Sequence, residues 1–420
     1  MRFIGPRDEG RWFHGEEHEY GRSLEQFALP GDERHFPRDR SADLEHIKLM
    51  VSFDLDMKQV IGRVELQYRA IVDRIQRISL DAEDMVVSSV TIRRHRTNEW
   101  RSVNFFVTEA QIVIELGRYV RSGRRFDLSV EYVATPTKGI YFTGPDVGYP
   151  DKPVQIWTQG QDTDNHHWFP CWDEPNERLT SEVIVTVPEG WTAISNGRLH
   201  SVLEGEDHKQ KSSTGNRSNT DDVIAVGMRP SRVSTGRTFH WVQEAEHTVY
   251  LISLVAGEFE RVVQQASGPL IEYYVTPGRE GDGERAFGNT PAMIRYFEEI
   301  SGEPYPWAKY AQVAVQDFIF GGMENTSATT QTDLTLHDVR AHVDFSSDFL
   351  VAHEAAHQWF GDLITCREWA HGWLNEGFAT YLEALWQEKY RGLNAHLWDV
   401  MSMAKIYMKE RYRRPIVHNQ

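Results

Sequence analysis

Residues 349–386 read FLVAHEAAHQWFGDLITCREWAHGWLNEGFATYLEALW, and this stretch decides what kind of domain the chain builds. It predicts a helix around 346–361, a turn, and a second helix around 374–391. Asp344 and Ser346 are candidate N-caps for the first helix, and Gly361 can end it. Phe349, Leu350, Ala352, Ala356, Trp359 and Phe360 supply its packing face. On the second helix Phe378, Tyr381, Leu382 and Leu385 are expected on the core side.

The first helix carries His353-Glu354-Ala355-Ala356-His357. Positions i and i+4 stack on one face of a helix. Two imidazoles can therefore reach one ion about 2.0–2.1 Å away. Glu354 is rotated about 100° from His353, beside the ion rather than bound to it, where it can act on a water. A catalytic zinc needs three protein ligands and an open position. Glu376, 19 residues after His357 and at the start of the second helix, is the natural third ligand. Glu383, two turns further on the same face, is expected to orient His357 from behind.

Upstream runs Phe320-Gly321-Gly322-Met323-Glu324-Asn325, after the apolar stretch from Val313. Paired glycines there suggest a strand edge closely approached by another backbone, such as a substrate peptide. Glu324 would project a carboxylate into that cleft, although a glutamate in a turn is more often simply solvated. The segment Trp168-Phe169-Pro170-Cys171-Trp172 reads as a packed aromatic corner.

Ahead of this region the pattern has period two. Ile47, Leu49, Val51, Phe53 and Leu55 alternate with polar residues and Met50, and Val64, Leu66, Tyr68 and Ala70 do the same. Further strands are expected at 105–116, 126–133, 182–187 and 248–254, with turns at Pro188-Glu189-Gly190 and Asn196-Gly197. Residues 204–222 read as a polar hairpin tip. Near Phe259 the pattern turns helical, with a helix over 284–300. The expected organisation is α+β: an extended arm over 1–44, a β-rich antiparallel sandwich or saddle over 45–260, and a helix-rich catalytic domain over 261–420.

Composition narrows the function classes. The net charge of -17 opposes binding to phosphate backbones or anionic membranes. No 18-residue apolar run is present, and no signal peptide is expected. Cys171 and Cys366 make no CxxC pair and suit a reducing compartment, so the cytoplasm is expected; the chain is also expected to be monomeric.

GGMEN at 321–325, HEAAH at 353–357 and the glutamate of NEGFATY at 375–381, together with FPCWDEP at 169–175, resemble the aminopeptidase N family of gluzincin zinc metallopeptidases. The likeness runs from about residue 40 to the end. It implies a saddle-shaped β domain followed by a thermolysin-like catalytic domain. It implies one zinc ion per chain on His353, His357 and Glu376, with Glu354 as general base. Gly321 to Asn325 and Gln161 would bind substrate, with Glu324 holding the α-ammonium of a peptide with a free N-terminus. The family's oxyanion-stabilising tyrosine would fall beyond Gln420, neither Tyr407 nor Tyr412 taking its place, so the catalytic domain is expected to be incomplete. Three other readings stay open. They are a thermolysin-like endopeptidase, an epoxide hydrolase as in the branch containing a leukotriene epoxide hydrolase, and a chain that binds zinc and peptide N-termini with little turnover.

Overall fold

The computed structural model describes residues 38–94, 99–205, 236–264 and 268–410. The expected arm over 1–44 and the hairpin tip over 204–222 lie largely outside them. The described chain divides into two units between Phe259 and Glu260.

The N-terminal unit is built on an eight-stranded sheet. Its strand order is 198–203, 236–248, 178–188, 42–54, 59–70, 125–134, 85–94 and 100–102. The first long strand begins at Ala42, so the last residues assigned to the arm belong to the sheet. Alternation positions the core: Val64, Leu66, Tyr68 and Ala70 are all buried, as are Ile47, Leu49 and Val51. Met50, on the opposite face, is buried as well. One pairing departs from the expected antiparallel order, because Ala42–Asp54 and Arg178–Pro188 run parallel. Those strands are joined by a long crossover rather than a hairpin, which leaves direction free.

A three-stranded sheet (75–81, 111–120, 105–107) and a four-stranded sheet (192–195, 254–257, 155–158, 140–143) complete the unit. Their inward residues, among them Leu80, Ile114 and Ile156, join the same core as Leu49 and Leu128. The single strand expected over 105–116 is two, Phe105–Val107 and Gln111–Val120. Thr108 ties the turn between them by accepting from the Gln111 N–H at 3.0 Å. The strand expected at 248–254 is likewise broken. Gly236–Thr248 ends in a 3₁₀ turn, and Leu254–Gly257 starts a different sheet. Trp168, Phe169 and Cys171 are fully buried.

The C-terminal unit opens with a five-stranded sheet in the order 260–264, 270–275, 309–315, 328–332, 322–323. Lys309–Val315 is central and buried throughout, and runs parallel to both neighbours. Gly322–Met323 is an edge strand, paired antiparallel with Ala328–Thr332. The helices are α1 (Glu280–Phe287), α2 (Thr290–Ser301), α3 (Asp348–Ala356), α4 (Trp373–Arg391) and α5 (Leu393–Glu410). The helix expected over 284–300 is thus two. Gly288 and Asn289 interrupt it, and Pro291 restarts it in the first turn of α2, where a missing N–H costs nothing. A second core of Tyr273, Phe287, Phe297, Val351, Ala355 and Trp359 packs α1 to α4 on the sheet.

Two expectations about the helix pair are corrected. Helix α3 stops at Ala356, with His357 as its C-cap, rather than at Gly361. Phe378 and Tyr381 lie on the exposed side of α4; Leu382 faces the core as expected, with Leu385 packed against it, and Ala379 and Trp386 join them. Phe378 stacks on Phe360 at 4.7 Å, outside the main core.

Candidate metal centre

Helix α3 begins at Asp348, whose N–H is accepted by the Ser346 hydroxyl at 3.2 Å. The N-cap itself is Ser347, without a side-chain cap bond, so neither Asp344 nor Ser346 takes the position expected for it. Near its other end α3 presents His353 and His357 on one face, as the spacing predicts. After His357 the chain must reverse within a few residues. Gly361 makes the reversal with φ +134°, a conformation that side chains rarely adopt. A Cβ there would also stand 3.0 Å from His357 Nδ1.

Glu376 arrives from the first turn of α4, where a carboxylate is favoured by the helix dipole. Asn375 anchors that turn: it is buried, and its Oδ1 accepts from the Cys366 N–H at 3.0 Å. The three side chains then converge. His353 Nε2 and His357 Nε2 are 3.1 Å apart, and Glu376 Oε2 lies 3.3 and 3.5 Å from them. Ligands spaced tetrahedrally around an ion at about 2.05 Å are about 3.3 Å from one another. The triangle therefore has the size of a zinc site.

The donor chemistry agrees. His357 Nδ1 donates to the Phe360 carbonyl at 2.9 Å, and His353 Nδ1 faces Glu383 Oε2 at 3.4 Å. With both Nδ1 atoms protonated, each neutral imidazole turns its Nε2 lone pair toward the other and toward Glu376. Three lone pairs meeting at one point could hold a cation. Protons serve poorly, because two N–H groups cannot point at each other across 3.1 Å. The surrounding charge still demands positive partners. Burial opposes a charged imidazole at His353, yet Glu376 and Glu383 raise it to about 9. Burial likewise opposes His357, and Glu324 and Glu376 raise it well above the usual range. Glu376 is held well below its usual range, the two imidazoles outweighing its burial.

Glu383 departs from expectation in its partner. It faces His353, and His357 is oriented by the Phe360 carbonyl instead. Both arrangements fix the tautomer that leaves Nε2 free to bind.

Glu354 is buried, and its carboxyl is pushed up to about 7 by burial, against the pull of the two imidazoles. That poises it as a proton acceptor near neutrality. Gly322 explains how it fits. A Cβ at Gly322 would lie 2.3–2.6 Å from Oε1, the carboxyl carbon and Cγ of Glu354. The glycine read as room for a foreign backbone is thus required first by the molecule's own general-base candidate.

Glu324 is not a solvated turn residue. It is buried, its carboxyl is raised by burial, and an oxygen of it groups with His357 and Glu354 within 4.8 Å. Gly321, Met323 and Asn325 flank it, with Gly321 at φ +87° and Met323 and Asn325 buried. Gln161 lies in the N-terminal unit, in the turn after Gln155–Thr158, half-buried. Tyr407 is exposed, and Tyr412 is outside the described residues.

Two residues absent from the sequence reading hold the site together. Gln358, fully buried, donates to the Glu324 carbonyl at 2.8 Å. It accepts from the Ser327 N–H at 2.9 Å and from the Tyr305 hydroxyl at 3.2 Å. Lys309 lies buried beneath the same loop, with Nζ 3.3 Å from the Ser327 carbonyl. Neither gave a signal, because each looks in sequence like an ordinary polar residue.

Known proteins resemble the chain along both units. Residues 285–414 match the peptidase family M1 domain, and residues 43–217 match the peptidase M1 N-terminal domain. Aminopeptidase Ey of Gallus gallus is 30% identical over 298 residues, covering 69% of this chain and 28% of that protein. Aminopeptidase M1 of Arabidopsis thaliana is 31% identical over 240 residues, covering 56% and 24%. Probable aminopeptidase 2 of Sulfurisphaera tokodaii is 28% identical over 346 residues, covering 80% and 38%. The chain thus spans between a quarter and two fifths of the length of these relatives.

Proposed function

This chain belongs to the aminopeptidase N-like peptidase family M1, and from that premise we propose that it is a zinc-dependent aminopeptidase acting on peptides with a free N-terminus. The observation that carries the reading is the convergence of His353 Nε2, His357 Nε2 and Glu376 Oε2 within 3.1–3.5 Å of one another. What zinc supplies at such a triangle is Lewis-acid polarisation of a carbonyl and activation of water toward deprotonation.

Glu354 takes the proton of the attacking water, and its raised pKa lets it hold that proton until the amine leaves. It then protonates the departing amine. Glu324 pairs with the substrate's α-ammonium and so limits cleavage to one end, because an N-blocked substrate would leave a buried carboxylate uncompensated. Gly321, Gly322, Met323 and Asn325 present the edge along which the peptide lies. Glu383 orients His353 for its ligand role. The division into a β-rich N-terminal domain and a catalytic domain near residue 260 is part of the same reading. Two buried cysteines outside any disulfide, Cys171 and Cys366, support a reducing compartment, the cytoplasm, and the chain acts as a monomer. No helix among the described residues is long and apolar enough to cross a membrane.

The test compares an aminoacyl arylamide with its Nα-acetyl form. The free amine should be hydrolysed and the blocked one spared, and Glu324→Ala should narrow the difference. Equal cleavage of both forms would favour an endopeptidase. Conversion of a lipid epoxide without amide hydrolysis would place the chain in the other reaction class.

A further inference from the structure

A second cluster of metal-ligating side chains lies in the N-terminal unit. The chain leaves the strand Ile75–Asp81 through Glu83 and Asp84, and meets the 3₁₀ turn Asn165–His167. That turn is held rigidly. Glu83 N–H donates to the His166 carbonyl at 3.0 Å, and Asn165 is buried with its amide on the Val249 carbonyl at 2.7 Å.

Adjacent histidines usually diverge, but here the rings of His166 and His167 lie 4.5 Å apart at 31°. Each uses its Nδ1 on a carboxylate. His166 Nδ1 is 2.9 Å from Asp173 Oδ2, and His167 Nδ1 is 2.8 Å from Asp84 Oδ2. The other nitrogens then face one carboxyl group. Nε2 of His166 is 3.7 Å from one oxygen of Glu83, and Nε2 of His167 is 4.0 Å from the second. One ligand atom from each of the three residues fits within 4.8 Å of the others.

We propose that Glu83, His166 and His167 form a second site for a divalent transition metal, separate from that of His353, His357 and Glu376. The donor set, two imidazoles and a carboxylate, suits zinc, nickel, cobalt or copper rather than calcium or magnesium. Carboxylates behind both Nδ1 atoms fix the tautomer that offers Nε2 and raise its basicity, an arrangement typical of metal-binding histidines. A pair of plain ion pairs is the weaker account, since two cationic rings 4.5 Å apart would repel each other. The two imidazoles approach different oxygens of the Glu83 carboxyl, at 3.7 and 4.0 Å, and the three ligand atoms span up to 4.8 Å, wider than the about 3.3 Å of a closed tetrahedral site, so ion binding must draw them together. Glu83 is 39% exposed, free to close that gap and to leave the remaining positions to water.

The experiment counts ions. The chain, stripped by a chelator, is dialysed against zinc and its bound metal measured per chain. The wild type should hold two ions, the His166→Ala/His167→Ala variant one, and Glu376→Ala should lose only the other. Glu83→Gln keeps the shape of an exposed residue and should weaken the second ion at least about tenfold. If the double variant does not fold, Glu83→Gln decides alone. A single bound ion in the wild type, or a second ion whose affinity is unchanged by Glu83→Gln, overturns the proposal. Because the two sites are removed by different variants, loss of one reading leaves the other measurable.

Discussion

The side-chain amide of Gln358 donates to the main-chain carbonyl of Glu324 at 2.8 Å, so the residue directly after the second histidine grips the loop that carries the candidate amine-binding carboxylate. The metal triangle and the GGMEN segment are thereby one rigid object. Breaking the grip leaves the Glu324 carbonyl, the Ser327 N–H and the Tyr305 hydroxyl to find other partners. Unsatisfied buried groups cost about 1–3 kcal/mol each, and partial relaxation recovers some of that. Gln358→Leu should therefore destabilise the protein by about 2–4 kcal/mol, measured by denaturant unfolding. It should also raise KM for free-amine substrates more than it lowers kcat. An unchanged KM in a folded variant would show that the grip does not position Glu324.

Gly322→Ala tests the closest approach in the site. The new methyl would overlap the end of the Glu354 side chain, from Cγ to Oε1, and must push it aside. Metal content and melting temperature should stay near wild type, because the edge strand is short and the triangle is untouched. Turnover should fall by about 100-fold or more, the usual scale for displacing a general base. Wild-type turnover would mean that Glu354 does not need its present position.

The metal triangle was legible because it rests on two local rules, the i, i+4 stacking of His353 and His357 and a return helix of suitable length bearing Glu376. Period-two alternation likewise marked Val64 to Ala70 as a half-buried strand. What failed depends on how elements pack. The partner of Glu383 follows from the angle at which α4 crosses α3, which no spacing encodes. Phe378 and Tyr381 look like core residues by type, yet Ala379, Leu382 and Trp386 define the buried stripe. Gln358 and Lys309 became visible only once their surroundings were dry.

Glu383 offers a test of the corrected partnership. Its carboxylate stands 3.4 Å from His353 Nδ1, where it orients the ring and raises its basicity. Removing such a partner typically costs 10–100-fold in metal affinity. Glu383→Ala should therefore weaken zinc by about that factor in a competition titration with a chelator, without abolishing binding. A histidine NMR signal from His353 should move more than that of His357. The reverse order would restore the pairing with His357.

Lys309 gives the molecule a pH dependence of predictable sign. Burial under the Ser327 loop depresses its pKa from 10.5 to about 7, despite the opposing pull of Glu272. Below pH 7 the folded and unfolded states both carry the proton, and the folded state bears the full cost of burying it. Between about 7 and 10.5 the unfolded chain binds a proton that the folded chain does not. Stability from this group must then rise with pH, by up to about 1.4 kcal/mol per pH unit. Lys309→Met removes the titration, so the variant should gain stability at pH 6 and lose its advantage as pH approaches 10. Urea unfolding across that range measures the difference. A variant less stable than wild type at pH 6 would show that the Lys309 ammonium is held by contacts stronger than the cost of its burial.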